Sequence, residues 1–207
     1  MSEMQPHLTE YFRGFVPRRD PLLLELEQQA SSSGIPIVGP VVGELLLILV
    51  RACGAAKVLE LGAATGYSAI YLARGCEPAA GRVLTLERDT AMAAQARDNI
   101  AKAGLAGRIE VRLGEALDLL AGLTGSFDFI FMDIDKEFYL PALPHCRRLL
   151  RIGGLLVADN VSFAGAAAFN QEIFASRDWK SVHLLGFFPL HSPEQDGISL
   201  AVRWSEQ

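Results

Sequence analysis

Short apolar runs that stop at glycine or a carboxylate, separated by helix-length stretches, constrain this chain more than any other feature. Lys57-Val-Leu-Glu-Leu-Gly62, Arg82-Val-Leu-Thr-Leu-Glu87, Arg108-Ile-Glu-Val-Arg-Leu113, Phe127-Asp-Phe-Ile-Phe-Met132 and Leu155-Leu-Val-Ala158 read as strands. Residues 67–75 and 90–103 between them read as helices. Strands alternating with 10–15-residue helices imply βαβ units and a mainly parallel sheet. The last two strand candidates, 181–188 and 198–203, have no long helix between them, which predicts a closing antiparallel hairpin. Upstream, Asp20 before Pro21 marks a helix start, and Ser31-Ser-Ser-Gly34 its end. A second helix is expected over 41–52, stopped by Gly54. No repeat, linker or boundary interrupts the pattern. One α/β domain over 1–207 is expected, with a helical N-terminal extension (1–55) before the sheet core (56–207).

Composition narrows the function. Half of the 207 residues are apolar, so the chain can bury a core and is not of the disordered class. With 19 Lys and Arg against 24 Asp and Glu, the net charge is −5. An acidic chain without a basic run is a poor partner for nucleic acid. Cys53, Cys76 and Cys146 form no CxxC pair, which suits a reduced, cytoplasmic setting with buried thiols. The N-terminus carries acids where a signal peptide carries bases, and the longest apolar stretch, 35–50, is broken by Pro36, Pro40 and Glu44. No membrane span is expected from it.

In open α/β sheets ligands bind beyond the carboxyl ends of the strands. There this sequence places Glu60, Glu87, Asp133, Asp135, Lys136, Asp159 and Asn160. The first strand-to-helix turn, Gly62-Ala-Ala-Thr-Gly66, departs from G-x-G-x-x-G, because Ala64 stands where a glycine would let the backbone approach a pyrophosphate. An adenosine cofactor without phosphate, such as S-adenosylmethionine, does not need that glycine. Glu87 lies 25 residues beyond Gly62, near the ~20 typical of the acid that binds ribose hydroxyls.

Asp133, Asp159 and Asn160 supply hard oxygen donors that suit Mg²⁺, with Mn²⁺ or Ca²⁺ as alternatives, rather than Zn²⁺. The plainer reading of each aspartate alone is a helix cap; two on neighbouring strand ends, beside an amide, favour a metal. Lys136 follows Asp133 by three residues. Beside a cation and a sulfonium its pKa is expected to fall, fitting a general base. His7, His145, His183 and His191 show no ligand spacing and read as structural or surface residues.

Together these motifs resemble the cation-dependent O-methyltransferases, the family that includes catechol and caffeoyl-CoA O-methyltransferases. The resemblance rests on Val58-Leu-Glu-Leu-Gly-Ala-Ala-Thr-Gly-Tyr-Ser68, Phe131-Met-Asp-Ile-Asp-Lys136, Gly153-Gly-Leu-Leu-Val-Ala-Asp-Asn160 and Asp196-Gly197-Ile198, and covers roughly residues 43–203. It implies a Rossmann-like class I methyltransferase fold: a seven-stranded, mainly parallel sheet with an antiparallel C-terminal strand. It also implies a homodimer acting on a small aromatic substrate.

By the same resemblance, Gly62 and Ala63 lie against the methionine part of S-adenosylmethionine, and Glu60 and Ser68 hold its amino and carboxylate ends. Glu87 takes the ribose hydroxyls, Ala116 flanks the adenine, and Val38 folds over the cofactor. Asp133, Asp159 and Asn160 become metal ligands, with Asp133 also near cofactor and substrate. Lys136 becomes the catalytic lysine, and it touches substrate together with Asn160 and Phe163. Ala164, Ile134, Asp135 and Leu117 depart from the plant or animal patterns, which bears on the acceptor rather than on the chemistry. The implied reaction is methyl transfer to one hydroxyl of a catechol-type acceptor. The alternatives are a nicotinamide-dependent oxidoreductase and a non-catalytic S-adenosylmethionine-binding protein.

Overall fold

The computed structural model describes residues 3–77 and 79–205. Three helices come first: α1 (Leu8–Arg13), α2 (Pro21–Ser33) and α3 (Gly39–Ala52). Then β1 (Lys57–Leu61), β2 (Arg82–Glu87), β3 (Ile109–Leu113), β4 (Phe127–Met132) and β5 (Leu150–Ala158) alternate with α4 (Tyr67–Gly75), α5 (Thr90–Lys102), α6 (Ala116–Gly122) and α7 (Tyr139–Leu149). The chain closes with α8 (Ala167–Ala175), β6 (Trp179–Phe187) and β7 (Gln195–Arg203).

The sheet order is β3-β2-β1-β4-β5-β7-β6. The first five strands pair in parallel, and β7 runs antiparallel to both β5 and β6. The expected seven-stranded architecture is therefore observed. The closing hairpin does not simply extend the sheet, because its second strand inserts between β5 and its first.

Two apolar layers cover the sheet. Val58, Phe129, Phe131 and Val157 face α2, α3, α4 and α5, whereas Leu59, Leu61, Ile130 and Met132 face α6, α7 and α8. Central strands buried on both faces explain why they read as continuous apolar runs rather than alternating ones. Asp20 Oδ1 accepts the Leu23 N–H 2.9 Å away, the capping bond its position predicted, and Gly34 ends α2 in the left-handed region.

Several boundaries differ from expectation. α3 begins at Gly39 rather than at 41, because Pro40 sits comfortably in its first turn. β5 starts at Leu150, and its pairing with β4 shifts register between Phe127 and Phe129. α7 is not among the helices expected from the sequence; Pro141 and Pro144 fall within it, yet Tyr139, Ala142, Leu143, Cys146 and Leu149 form one buried stripe. Packing overrides propensity there. Cys76 and Cys146 are buried and unbridged, and Cys53 is half-buried. Among the described residues, no helix is long and apolar enough to cross a membrane.

Tyr139 ties the fold to the strand ends. Its buried hydroxyl lies 2.9 Å from Asp159 O and 3.1 Å from Met132 O, sharing one proton between two carbonyls. Tyr139→Phe keeps the ring but removes this donor from Asp159 O, while Met132 O keeps the Asp159 N–H, so we expect a loss of about 1–3 kcal/mol, read as a lower denaturant midpoint at constant slope.

Candidate active site

The strand order reverses between β1 and β4, where a crevice opens beyond the carboxyl ends of the strands. A cavity of about 1100 Å³ fills it. One wall is the turn after β1, the floor is built by the ends of β2, β4 and β5, and residues 34–38 form the opposite wall.

Gly62 has φ +97°, and a Cβ there would lie 2.0 Å from Asp133 O, so only glycine lets β4 come this close. The turn's amides are committed inside the protein. Gly62 and Ala63 donate to Leu86 O, Gly66 donates to Ala63 O, and Ala64 donates to Glu87 Oε2 at 2.8 Å. Glu87 Oε1 accepts the Asp89 N–H at 2.8 Å. Glu87 is thus fixed by two backbone amides, with one lone pair on each oxygen left for a ligand hydroxyl.

Of the other cofactor candidates, Val38, Ala63, Ser68 and Ala116 line the cavity. Glu60 does not. It is fully buried, and neither carboxylate oxygen has a well-formed hydrogen bond. Burial pushes its carboxyl up to about 7, with the nearby Ser68 and Thr85 hydroxyls opposing.

The ladder continues past the strands. Asp133 N–H donates to Leu61 O at 2.9 Å, and Asp159 N–H to Met132 O at 3.0 Å, so the two aspartates sit on neighbouring strand ends. Asp133 Oδ1 accepts from Lys136 Nζ at 2.8 Å. The same nitrogen reaches Ile134 O at 3.0 Å and lies 5.1 Å from the Tyr139 ring centre. Burial raises the Asp133 pKa; Lys136 opposes this and Asp159 adds to it.

Asp159 is almost wholly buried. Its Oδ1 accepts the Asn160 N–H at 2.9 Å, and its Oδ2 lies 2.9 Å from His191 Nε2. Burial works to lower the His191 pKa, but its hydrogen bond to Asp159 and the charge of that carboxylate outweigh it, and the net shift is upward. Asn160 adopts φ +49°, and its Nδ2 donates to Asp196 Oδ2 at 2.6 Å and Ser192 O at 3.3 Å. Both partners only accept, which assigns the amide orientation and leaves the carbonyl oxygen of Asn160 uncommitted. Phe163 is half-exposed and, with Phe138, lines the same end of the cavity.

Among the described residues, no three His, Cys, Asp or Glu side chains form a metal-holding group. The donors here are two carboxylates and one amide. They fit a hard divalent cation: like charges are brought together, and the amide offers its oxygen rather than its nitrogen. His191 and Asp196 stand behind this set. Sequence spacing gave no signal for His191, which lies 32 residues beyond Asp159.

Fold and cavity together define an enzyme of the class I methyltransferase type. The O-methyltransferase family model matches residues 19–180. A catechol O-methyltransferase from Niastella koreensis is 35% identical, covering 93% of this chain and 94% of that one. A catechol O-methyltransferase from Mycobacterium tuberculosis is 40% identical over 71% of this chain and 67% of its own. Among solved structures, the O-methyltransferase from Bacillus cereus in complex with S-adenosylhomocysteine superposes with a TM-score of 0.85 at 33% identity, covering 95% of this chain and 96% of that one. The chain belongs to the O-methyltransferase family.

The buried Glu60 gives a test of the site's electrostatics. Its folded pKa, about 7, lies above the unfolded value of roughly 4.3. The folded state therefore holds a proton that the unfolded state releases, and stability falls as pH rises through that interval. We expect ligand-free Glu60→Gln to melt near wild type at pH 4.5 and above it at pH 8. A melting-point gap that stays constant between those pH values would contradict the assignment.

Proposed function

We propose that this O-methyltransferase moves the methyl group of S-adenosylmethionine to one hydroxyl of a catechol-type aromatic acceptor, with a divalent cation held by Asp133, Asp159 and Asn160. One observation carries the proposal. A single cavity joins a carboxylate-ended, amide-committed turn to a cluster of two carboxylates, one amide oxygen and one lysine. The similarity to proteins named catechol O-methyltransferase supports the acceptor class.

The methyl donor supplies an electrophilic carbon on a sulfonium. When bound, a divalent cation supplies charge that favours a phenolate, and a preference for two vicinal oxygens that chelate it. The protein does the rest. A free phenol has a pKa near ~10 and is a poor nucleophile at neutral pH. Lys136 Nζ holds two acceptors, Asp133 Oδ1 and Ile134 O. To act as the base the ammonium must first release one proton; the amine then keeps two N–H groups for these acceptors and turns a lone pair to the phenolic proton. Phe163 and Phe138 offer apolar faces to an aromatic ring. Glu87 takes ribose hydroxyls with its remaining lone pairs. Much of the acceleration then comes from alignment of the acceptor oxygen with the methyl carbon.

A nicotinamide dinucleotide suits the cavity less well. Its pyrophosphate needs free amides at the first turn, and those of Gly62, Ala63 and Ala64 are already bonded internally. A non-catalytic binder has no use for Lys136 beside paired carboxylates.

The test is a methyl-transfer screen over catechols, flavonoids and hydroxycinnamoyl thioesters, with calorimetry of S-adenosylhomocysteine against NAD. We expect turnover with vicinal diols, its loss in EDTA and its return with Mg²⁺; full activity in chelator excludes the cation. Lys136→Ala should lower kcat by about 10²–10⁴ while S-adenosylhomocysteine affinity changes little. Comparable loss of both would remove the base role.

A further inference from the structure

The β6–β7 loop bonds to two of the three proposed cation donors, through His191 to Asp159 and Ser192 O to Asn160. We propose that His191 is a positioning residue for the cation site: anchored on Pro193 O, it fixes Asp159 so that the carboxylate presents one orientation to a divalent ion. This rests on the cation reading above.

The geometry is that of a built support. The side chains of His191 and Asp159 are each 1% exposed. Nδ1 of His191 lies 2.6 Å from Pro193 O, and Nε2 lies 2.9 Å from Asp159 Oδ2. A carbonyl oxygen only accepts, so Nδ1 carries a hydrogen, and the ring is held at both ends. With Oδ1 on the Asn160 N–H and its carbonyl facing Tyr139, Asp159 is pinned at three points. Removing His191 would leave Oδ2 buried without a partner and free to swing. Histidine and carboxylate partners around metal donors commonly govern cation affinity in this way.

The support is itself held rigidly from outside. Leu190 sits at φ +67°, and its N–H donates to Glu194 Oε1 at 2.9 Å. Glu194 pairs with Arg13 of the N-terminal extension. A Cβ on Gly39 would lie 2.4 Å from Leu190 O, so the start of α3 rests directly on the loop. A non-glycine residue at positive φ, gripped from two sides, persists only where its surroundings over-determine it.

The experiment separates this role from core packing by using two amides. In His191→Gln the side-chain nitrogen falls where Nε2 was and can reach Asp159. In His191→Asn it falls near Nδ1 and can reach only Pro193 O. Mn²⁺ binding to the full chain is measured by the free-ion electron paramagnetic resonance signal, with S-adenosylhomocysteine affinity and thermal midpoint recorded alongside. We expect His191→Asn to weaken Mn²⁺ by about 10–100-fold, and His191→Gln to recover most of that loss. S-adenosylhomocysteine affinity should stay near wild type in both. Equal Mn²⁺ affinity in wild type and His191→Asn overturns the proposal. So does equal weakening in both variants, which marks the histidine as packing alone. A wild-type chain that binds no Mn²⁺ removes the cation reading itself, a result distinct from either.

Discussion

Two backbone hydrogen bonds organise the rest of this structure: Asp133 N–H to Leu61 O and Asp159 N–H to Met132 O. Each extends a parallel ladder one residue beyond its strand. Because parallel neighbours advance in step, β1, β4 and β5 all end at one level. The first residue past β4 and the first past β5 are both aspartate, so the ladder that builds the sheet also sets two carboxylates side by side. Gly62 is part of the same constraint, since any side chain there would push β4 away.

Bringing those carboxylates together in a half-buried place is unfavourable by itself. The protein answers with cations and donors on each. Asp133 has Lys136, delivered by the short 3-10 turn that follows β4. Asp159 has His191, delivered by a loop from the far end of the chain. Asn160 is aimed by Asp196, a buried carboxylate itself held by the Gly197 N–H at 2.6 Å. The cluster is therefore a network in which each member orients another. Perturbing one partner should be felt at the rest.

Much of this was legible in the sequence because of where it falls. Asp133, Asp159, Asn160 and Glu87 each follow an apolar run, and strand ends in an open α/β sheet carry ligands. Gly62 and Gly66 punctuate the first turn, and their positive φ agrees with that reading. Legibility failed where contact depends on loop shape rather than on order along a strand. His191 reads as an isolated histidine, because nothing in spacing says that the β6–β7 loop folds back on β5. Nothing in the sequence singles out Tyr139, whose neighbours Pro141 and Pro144 mask the helix it opens. Glu60 lies one residue before the end of β1 and is fully buried, yet it is not among the residues that line the cavity. Alternation along a strand decides which side a residue faces, and carboxylate chemistry alone does not.

The N-terminal extension carried the weakest resemblance but completes the cavity. Tyr67, the first residue of α4, donates its hydroxyl to Glu27 Oε1 at 2.7 Å, and Arg19 bonds the same carboxylate at 3.0 Å. Asp20 pairs with Arg74 at the other end of α4. α2 is thereby tied to the helix that opens at the cofactor turn, and residues 34–38, between α2 and α3, become a wall of the pocket. Val38 is buried there and packs into the same apolar layer as Tyr67 and Tyr71. The wall is made by packing rather than by a motif.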